Sequence, residues 1–148
     1  MDPKVVEVNQ ATRLRAVQRA TTTYLSRYNE LITVSLNHVI YDSFLPENLR
    51  ITITRWRLSC HNLKIETGRR EPYIVRHLRH CLNCGDLEDE SHALFSCPLY
   101  ASSRRKYATF LARHAAVAAI LNPPTVEDAI VVGNYLTEIE SVREELGY

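Results

Sequence analysis

The amino-acid sequence predicts a mainly α-helical protein that carries a small metal-binding knuckle. The chain of 148 residues contains only four glycines and six prolines, which is few for a fold built from turns and strands. Apolar residues recur every three or four positions over long stretches, as they do on one face of an amphipathic helix. Three of the four cysteines lie within residues 81–97. The length suits one compact domain.

The N-terminal helical segment is predicted over residues 1–48. An Asp-Pro pair follows the first methionine, and it combines a capping side chain with a proline at the first helical position. Helical spacing of apolar residues then continues over residues 5–28 and again over residues 31–44. A Leu-Pro-Glu-Asn break follows, so we expect two helices before residue 49.

The middle segment, residues 49–113, is predicted to hold a basic helix and the metal-binding module. Its first stretch, Arg-Ile-Thr-Ile-Thr-Arg-Trp-Arg-Leu, alternates like a strand but fits a helix equally well. Trp56 is expected in the core. After the cysteines, residues 99–120 show one more helical pattern, which an Asn-Pro-Pro sequence ends.

The C-terminal segment, residues 114–148, is predicted to form an acidic helix. Thr125 provides a capping hydroxyl and Asp128 lies three residues on, in the arrangement of a capping box with aspartate in place of the usual glutamate or glutamine.

The ends and the apolar runs of the sequence bear on the compartment. The first twenty residues lack the apolar core of a secretory signal. The longest apolar run, residues 110–121, contains an arginine and a histidine and is too short to span a bilayer. We therefore expect a nuclear or cytoplasmic protein that is not secreted and has no membrane partner.

The net charge of +1 hides a segregation of charge along the chain. Residues 50–113 carry twelve Lys and Arg against six Asp and Glu, whereas the rest carries six against eleven. A segregated basic block is typical of a surface that contacts a polyanion. The alternative is that the basic residues pair with the acidic terminal helix inside the fold.

The cysteine cluster has the spacing Cys81-x2-Cys84-x7-His92-x4-Cys97. Zinc prefers four such ligands at tetrahedral corners, and two residues between the first cysteines let the chain fold around an ion. Gly85 can complete that turn as a short hairpin. His92 and Cys97 are five residues apart, so a helix between them must loosen near Pro98. Because four protein ligands leave no open position, the sequence predicts one structural zinc ion.

The cysteines and histidines also allow other interpretations. Without a secretory signal a disulfide is disfavoured, and a redox Cys-x-x-Cys motif belongs at a helix start in a βαβ unit. His80 is a competing ligand, although ligation by adjacent residues would be strained. Cys60 is expected to be a buried free thiol.

Beyond the metal spacing, residues 50–110 resemble the C-terminal zinc-binding region of reverse transcriptases from non-LTR (LINE-type) retrotransposons. The resemblance rests first on "SCHNLKIETGRR", with Cys60 and Arg70 as departures, and then on "CLNCGDLEDESHALFSCPLYASSR". The sequence contains no acidic polymerase motif, so the chain is similar to the tail of such an enzyme without its catalytic parts. We therefore expect no catalytic activity.

The resemblance implies a zinc-stabilised, non-catalytic module that contacts template RNA or target DNA, with the catalytic part of a reverse transcriptase as a further partner. Basic side chains would contact phosphates, and Tyr73 would stack on unpaired bases. The acidic run at residues 86–90 would repel phosphate. The expected nucleic-acid contacts are Arg55, Arg57, Lys64, Arg69, Arg70, Tyr73, Arg76, Arg79, Arg104, Arg105 and Lys106. A structural or protein-interaction zinc module, and a relic without activity, are the alternatives.

Overall fold

Helices dominate the computed structural model, which describes residues 39–70 and 72–147. This part contains no strand, and the prediction of a mainly α fold is confirmed. The α-helices are α1 (Glu47–Arg57), α2 (Lys64–Thr67), α3 (Ala101–Lys106), α4 (Ala108–Arg113), α5 (Val117–Ile120) and α6 (Val126–Glu145). Three 3-10 turns (Val39–Tyr41, Arg76–Leu78 and Pro98–Tyr100) and a π-helix (His92–Ser96) complete the list. The helix predicted over residues 5–28 lies outside the described residues, as does most of that over 31–44.

Helix α1 resolves the ambiguity of the Ile/Thr-rich stretch. The helix begins within the Leu-Pro-Glu-Asn sequence, directly after Pro46. Its buried residues include Leu49, Thr52, Ile53 and Trp56, which share one helical face. Trp56 is fully buried, as predicted. Tertiary packing of this face therefore overrides the strand preference of the β-branched residues.

The core lies where α1 packs against α6. Gly133 of α6 allows the two helices to approach closely, because a Cβ atom there would lie 2.7 Å from the Cβ of Leu49. Val132, Leu136 and Ile139 of α6 are fully buried beside it. The predicted basic and acidic segments thus contribute to one hydrophobic core.

The start of α6 confirms the predicted cap. The Asp128 amide donates to Thr125 Oγ1 over 3.1 Å, and that hydroxyl donates to an Asp128 carboxylate oxygen over 3.1 Å. The Thr125 cap satisfies one otherwise unpaired amide of the first turn. The Asp128 carboxylate accepts from the Thr125 hydroxyl, whereas the usual glutamate accepts from the backbone amide of the cap residue, so the capping box is partial.

The prediction of one helix over residues 99–120 is wrong in detail, since that region holds three short helices after a 3-10 turn. The chain leaves helical geometry at Tyr107 and at His114. The Tyr107 ring packs on Tyr135 of α6 with centroids 5.2 Å apart, and the His114 ring packs on Phe110 at 4.4 Å. These contacts accompany turns that helical periodicity alone does not reveal.

A Schellman motif ends α1 and corrects the expectation for Cys60. The Cys60 amide donates to the Arg55 carbonyl over 2.8 Å and the Ser59 amide donates to the Trp56 carbonyl over 3.2 Å. Ser59 takes a left-handed φ of 56°, a conformation that glycine usually supplies. The turn leaves Cys60 exposed rather than buried.

Within the described residues, no helix combines the length and the apolar character needed to cross a lipid bilayer.

Candidate metal centre

The four predicted ligands lie together, with their donor atoms within 4.8 Å of one another. Cys81 Sγ and Cys97 Sγ are 3.7 Å apart, and Cys84 Sγ lies 3.3 Å from His92 Nε2. In a tetrahedral zinc site, sulfur ligands would be separated by about 3.8 Å and a sulfur–nitrogen pair by about 3.6 Å. The donor set therefore fits one metal ion, and the sulfur separation is far from a disulfide.

The first ligand pair lies on a tight turn. Gly85 takes a left-handed φ of 83° and its amide donates to the Cys81 carbonyl over 2.8 Å. The Cys81 amide donates to the Asp86 carbonyl over 2.7 Å, and His80 forms a single antiparallel bridge with Leu87. The hairpin expected at this pair is thus one bridge long.

The second ligand pair lies at the two ends of the π-helix. The Cys97 amide donates to the His92 carbonyl over 2.8 Å, an i to i+5 bond that places residues five apart on one face. The His92 amide donates to Asp89 Oδ1 over 2.9 Å. Cys97 leaves the helix with φ −57° and ψ 124°, as expected before Pro98. The predicted loosening of the helix is confirmed.

The surroundings of Cys97 disfavour a free thiolate. Burial, together with the neighbouring Cys81 and Cys84 sulfurs, raises the pKa of Cys97 to about 12. A thiolate at neutral pH therefore needs a nearby positive charge, which a divalent ion supplies. The Arg104 guanidinium donates to the Cys97 carbonyl and so holds the backbone at this ligand.

The histidine ligand has neighbours that can orient its ring. Ser96 Oγ lies 3.5 Å from His92 Nδ1, and an Asp86 carboxylate oxygen lies 4.0 Å from it. Such partners leave Nε2 facing the metal in histidine–metal sites. His80, the competing ligand in the sequence, is exposed and lies outside this cluster.

A buried ion pair that the sequence did not reveal links the cysteine segment, residues 81–97, to α6. The Arg143 guanidinium donates to both carboxylate oxygens of Glu88, to the Tyr100 hydroxyl over 3.2 Å and to the Asn62 carbonyl over 2.9 Å. Glu88 also accepts the Lys64 amide over 2.7 Å. Arg143 and Glu88 are almost completely buried, so this network fixes the position of the cysteine segment on the core.

A second buried pair joins the same segment to α1. The Leu63 amide donates to His61 Nδ1 over 3.4 Å, which leaves Nε2 to donate to Glu90 over 3.2 Å. The His61 ring packs on Trp56 with centroids 4.8 Å apart. The acidic run at residues 86–90 was expected to repel phosphate. Two of its four acidic residues, Glu88 and Glu90, are instead buried and paired.

Two of the predicted nucleic-acid contacts are buried and serve the fold instead. Arg57 donates to the Leu121 carbonyl over 2.9 Å. Arg79 donates to the Ile74 carbonyl over 2.8 Å and to the Ile65 carbonyl over 2.7 Å. These arginines hold neighbouring backbone segments, and their guanidinium groups face the protein interior.

Of the other predicted contacts, four side chains are paired with groups of the protein itself and the rest are not. Arg55 lies 3.9 Å from Glu140, Arg69 lies 3.4 Å from Glu66, Arg104 binds the Cys97 carbonyl and Lys106 lies 2.7 Å from Glu138. Burial raises the pKa of Glu66 against the opposing effect of Arg69. Among the described residues, no partner is found for the charged side-chain groups of Lys64, Arg70, Arg76 or Arg105, and Tyr73 is 62% exposed.

No family model matches this chain, and neither the curated proteins nor the solved structures contain a significant match to it.

Proposed function

We propose that this chain is a zinc-stabilised, non-catalytic nucleic-acid-binding module, similar in role to the C-terminal region of a non-LTR reverse transcriptase. The observation that carries the proposal is a loop joined directly to the turn that holds Cys81 and Cys84 (the metal turn). This loop, residues 72–80 (the basic loop), presents Arg76 to solvent and follows Arg70. Its end pairs with the metal turn through the bridge between His80 and Leu87.

The donor set supports zinc as the metal. Three thiols and one imidazole in a tetrahedral arrangement are typical ligands of zinc, while oxygen-preferring ions avoid them. Four protein ligands leave no position for substrate or water, so the role proposed for the ion is structural. The ion would hold the turn of Cys81 against the π-helix. The basic loop would then be held in a fixed position too, because its end is bridged to this turn.

Phosphate contact through arginine predicts weak sequence preference and strong salt dependence. The test measures fluorescence anisotropy of labelled single-stranded RNA and duplex DNA with the zinc-loaded protein at low and moderate salt. We expect binding at low salt that weakens steeply as salt rises. The pair of substitutions Arg70→Gln and Arg76→Gln should reduce the slope of log affinity against log salt by about 1.4–1.8, because each phosphate contact contributes about 0.7–0.9.

The matched control is Arg113→Gln, which removes an exposed arginine that already lies 3.5 Å from Asp128. This change should leave the salt slope unchanged. Undetectable binding at low salt by the zinc-loaded wild-type protein contradicts the proposal.

A structural or protein-interaction module is the second candidate, and one observation favours it. Three basic residues of the middle segment lie beside acidic residues of α6: Arg55 with Glu140, Lys106 with Glu138 and Arg113 with Asp128. The segregated charges of the sequence are thus partly neutralised inside the fold. If the wild-type protein binds neither nucleic acid, this candidate takes precedence.

A further inference from the structure

The Tyr73 side chain in the basic loop is exposed but held in place. Its ring is 62% exposed to solvent, and the Arg79 guanidinium carbon lies 5.6 Å from the ring centroid. Arg79 is itself buried and donates to the Ile74 and Ile65 carbonyls. The tyrosine therefore rests against a cation that cannot move freely.

The packing beneath Arg79 explains why the loop keeps this arrangement. A Cβ atom at Gly68 would lie 2.9 Å from three atoms of the Arg79 side chain, so only glycine leaves room for it. The Ile74 amide donates to the Gly68 carbonyl over 2.9 Å, and the Glu88 amide donates to the Arg79 carbonyl over 2.9 Å. The loop is thereby tied both to α2 and to the cysteine segment.

Exposed apolar and cationic side chains lie close to Tyr73 in sequence. Val75, Leu78 and Leu82 are large apolar residues exposed to solvent, and Arg70 and Arg76 are exposed nearby in sequence. A duplex presents phosphates and sugars on its outside and keeps its base faces stacked within. An unpaired strand presents base faces as well, which aromatic and apolar side chains can cover.

We propose, as an extension that rests on the proposed function, that the basic loop prefers unpaired nucleotides to duplex. The Tyr73 ring stacks on one base, while Arg70 and Arg76 contact the adjoining phosphates. Because Arg79 already restrains the ring, little side-chain entropy is lost when the base stacks. One stacked base contributes about 5- to 150-fold in affinity.

The experiment compares an unstructured single-stranded RNA with a blunt RNA duplex of equal phosphate count, by anisotropy with the zinc-loaded full chain. We expect the wild-type protein to bind the single strand at least about tenfold more tightly. Tyr73→Ala should remove most of this preference, and Tyr73→Phe should retain it, since the ring face and not the hydroxyl carries the contact. The matched control is Tyr41→Ala, which removes a tyrosine that is 69% exposed, lies beside Ile51 and Thr54 of α1 rather than in the basic loop, and should change neither affinity.

The outcomes separate this inference from the proposed function. If the wild-type protein binds single strand and duplex equally, or if Tyr73→Ala binds the single strand as the wild-type protein does, the inference is wrong while the proposed function stands. If the wild-type protein binds neither probe at low salt, the proposed function itself fails. Circular dichroism and zinc content of each variant establish that the fold is retained.

Discussion

Two regions of this molecule are held together by different interactions. The contact between α1 and α6 rests on apolar side chains and on the close approach that Gly133 permits. The segment from His61 to Cys97 contributes few large buried apolar residues and depends on four clustered donors and two buried polar pairs. The contact between α1 and α6 resembles an ordinary core, whereas we expect the segment from His61 to Cys97 to need its clustered ligands in order to keep its position. We therefore expect different substitutions to destabilise the two regions.

Loss of a ligand should have the largest effect, and it should fall on the cysteine segment. Cys84→Ser is expected to weaken zinc binding by more than about a hundredfold and to unfold residues 61–97, because ligation free energy contributes directly to folding. Zinc analysis with hydrogen exchange measures both effects. Cys60→Ser removes an exposed cysteine outside the cluster and should retain one zinc ion. A Cys84→Ser protein that keeps its full zinc content and protection would contradict the ligand assignment.

Breaking the buried ion pair should come next, since it joins the two regions. Arg143→Met leaves the Glu88 carboxylate buried without its partner and should lower the free energy of unfolding by about 3–5 kcal/mol. The double variant that adds Glu88→Gln should recover part of this loss, because the uncompensated charge is removed. Urea denaturation of the zinc-loaded proteins gives the values. Equal destabilisation by Arg113→Met, which alters an exposed arginine, would show that the buried pair has no special role.

A substitution where α1 contacts α6 should destabilise the apolar core and leave zinc binding unchanged. Gly133→Ala places a methyl group against Leu49 and should lower the free energy of unfolding by about 1–3 kcal/mol through overpacking. Zinc affinity should be unchanged. The matched control is Asn134→Ala, at the adjacent exposed position of α6; it should destabilise far less. A large loss of zinc affinity in Gly133→Ala would show that the two regions are not separable.

The smallest expected effect is a gain in stability. Ser59→Gly relieves the left-handed backbone at the end of α1 and removes a buried hydroxyl for which the described part of the chain offers no hydrogen-bond partner. We expect the free energy of unfolding to rise by about 0.5–1 kcal/mol, measured by thermal denaturation. Gly85→Ser makes the opposite change at another left-handed position, where open space leaves only backbone strain, and should be destabilising.

The sequence predicted the features that depend on residues close together in the chain. The ligand spacing identified the four clustered donors, and the cap of α6 followed from Thr125 and Asp128. The pairing of Arg143 with Glu88 was not predictable, since these residues lie 55 positions apart and no short motif joins them.

The same limit explains the wrong expectations. Arg57 and Arg79 belong to a basic stretch of sequence that is typical of a phosphate-binding surface. In the structure both side chains are buried and donate to backbone carbonyl groups of other segments. The position of Cys60 depended on a left-handed serine that propensity does not favour. The zinc identity and nucleic-acid binding remain predictions.

The π-helix between His92 and Cys97 also shows where the chain tolerates a change of length. A π-turn takes up one residue more than an α-turn while its two end residues stay on one face. Removal of one residue between His92 and Cys97 would therefore leave an ordinary α-turn that still brings the two ligands together. The chain after Cys97 would start from the same ligand, so we expect Tyr100 to keep its contact with Arg143.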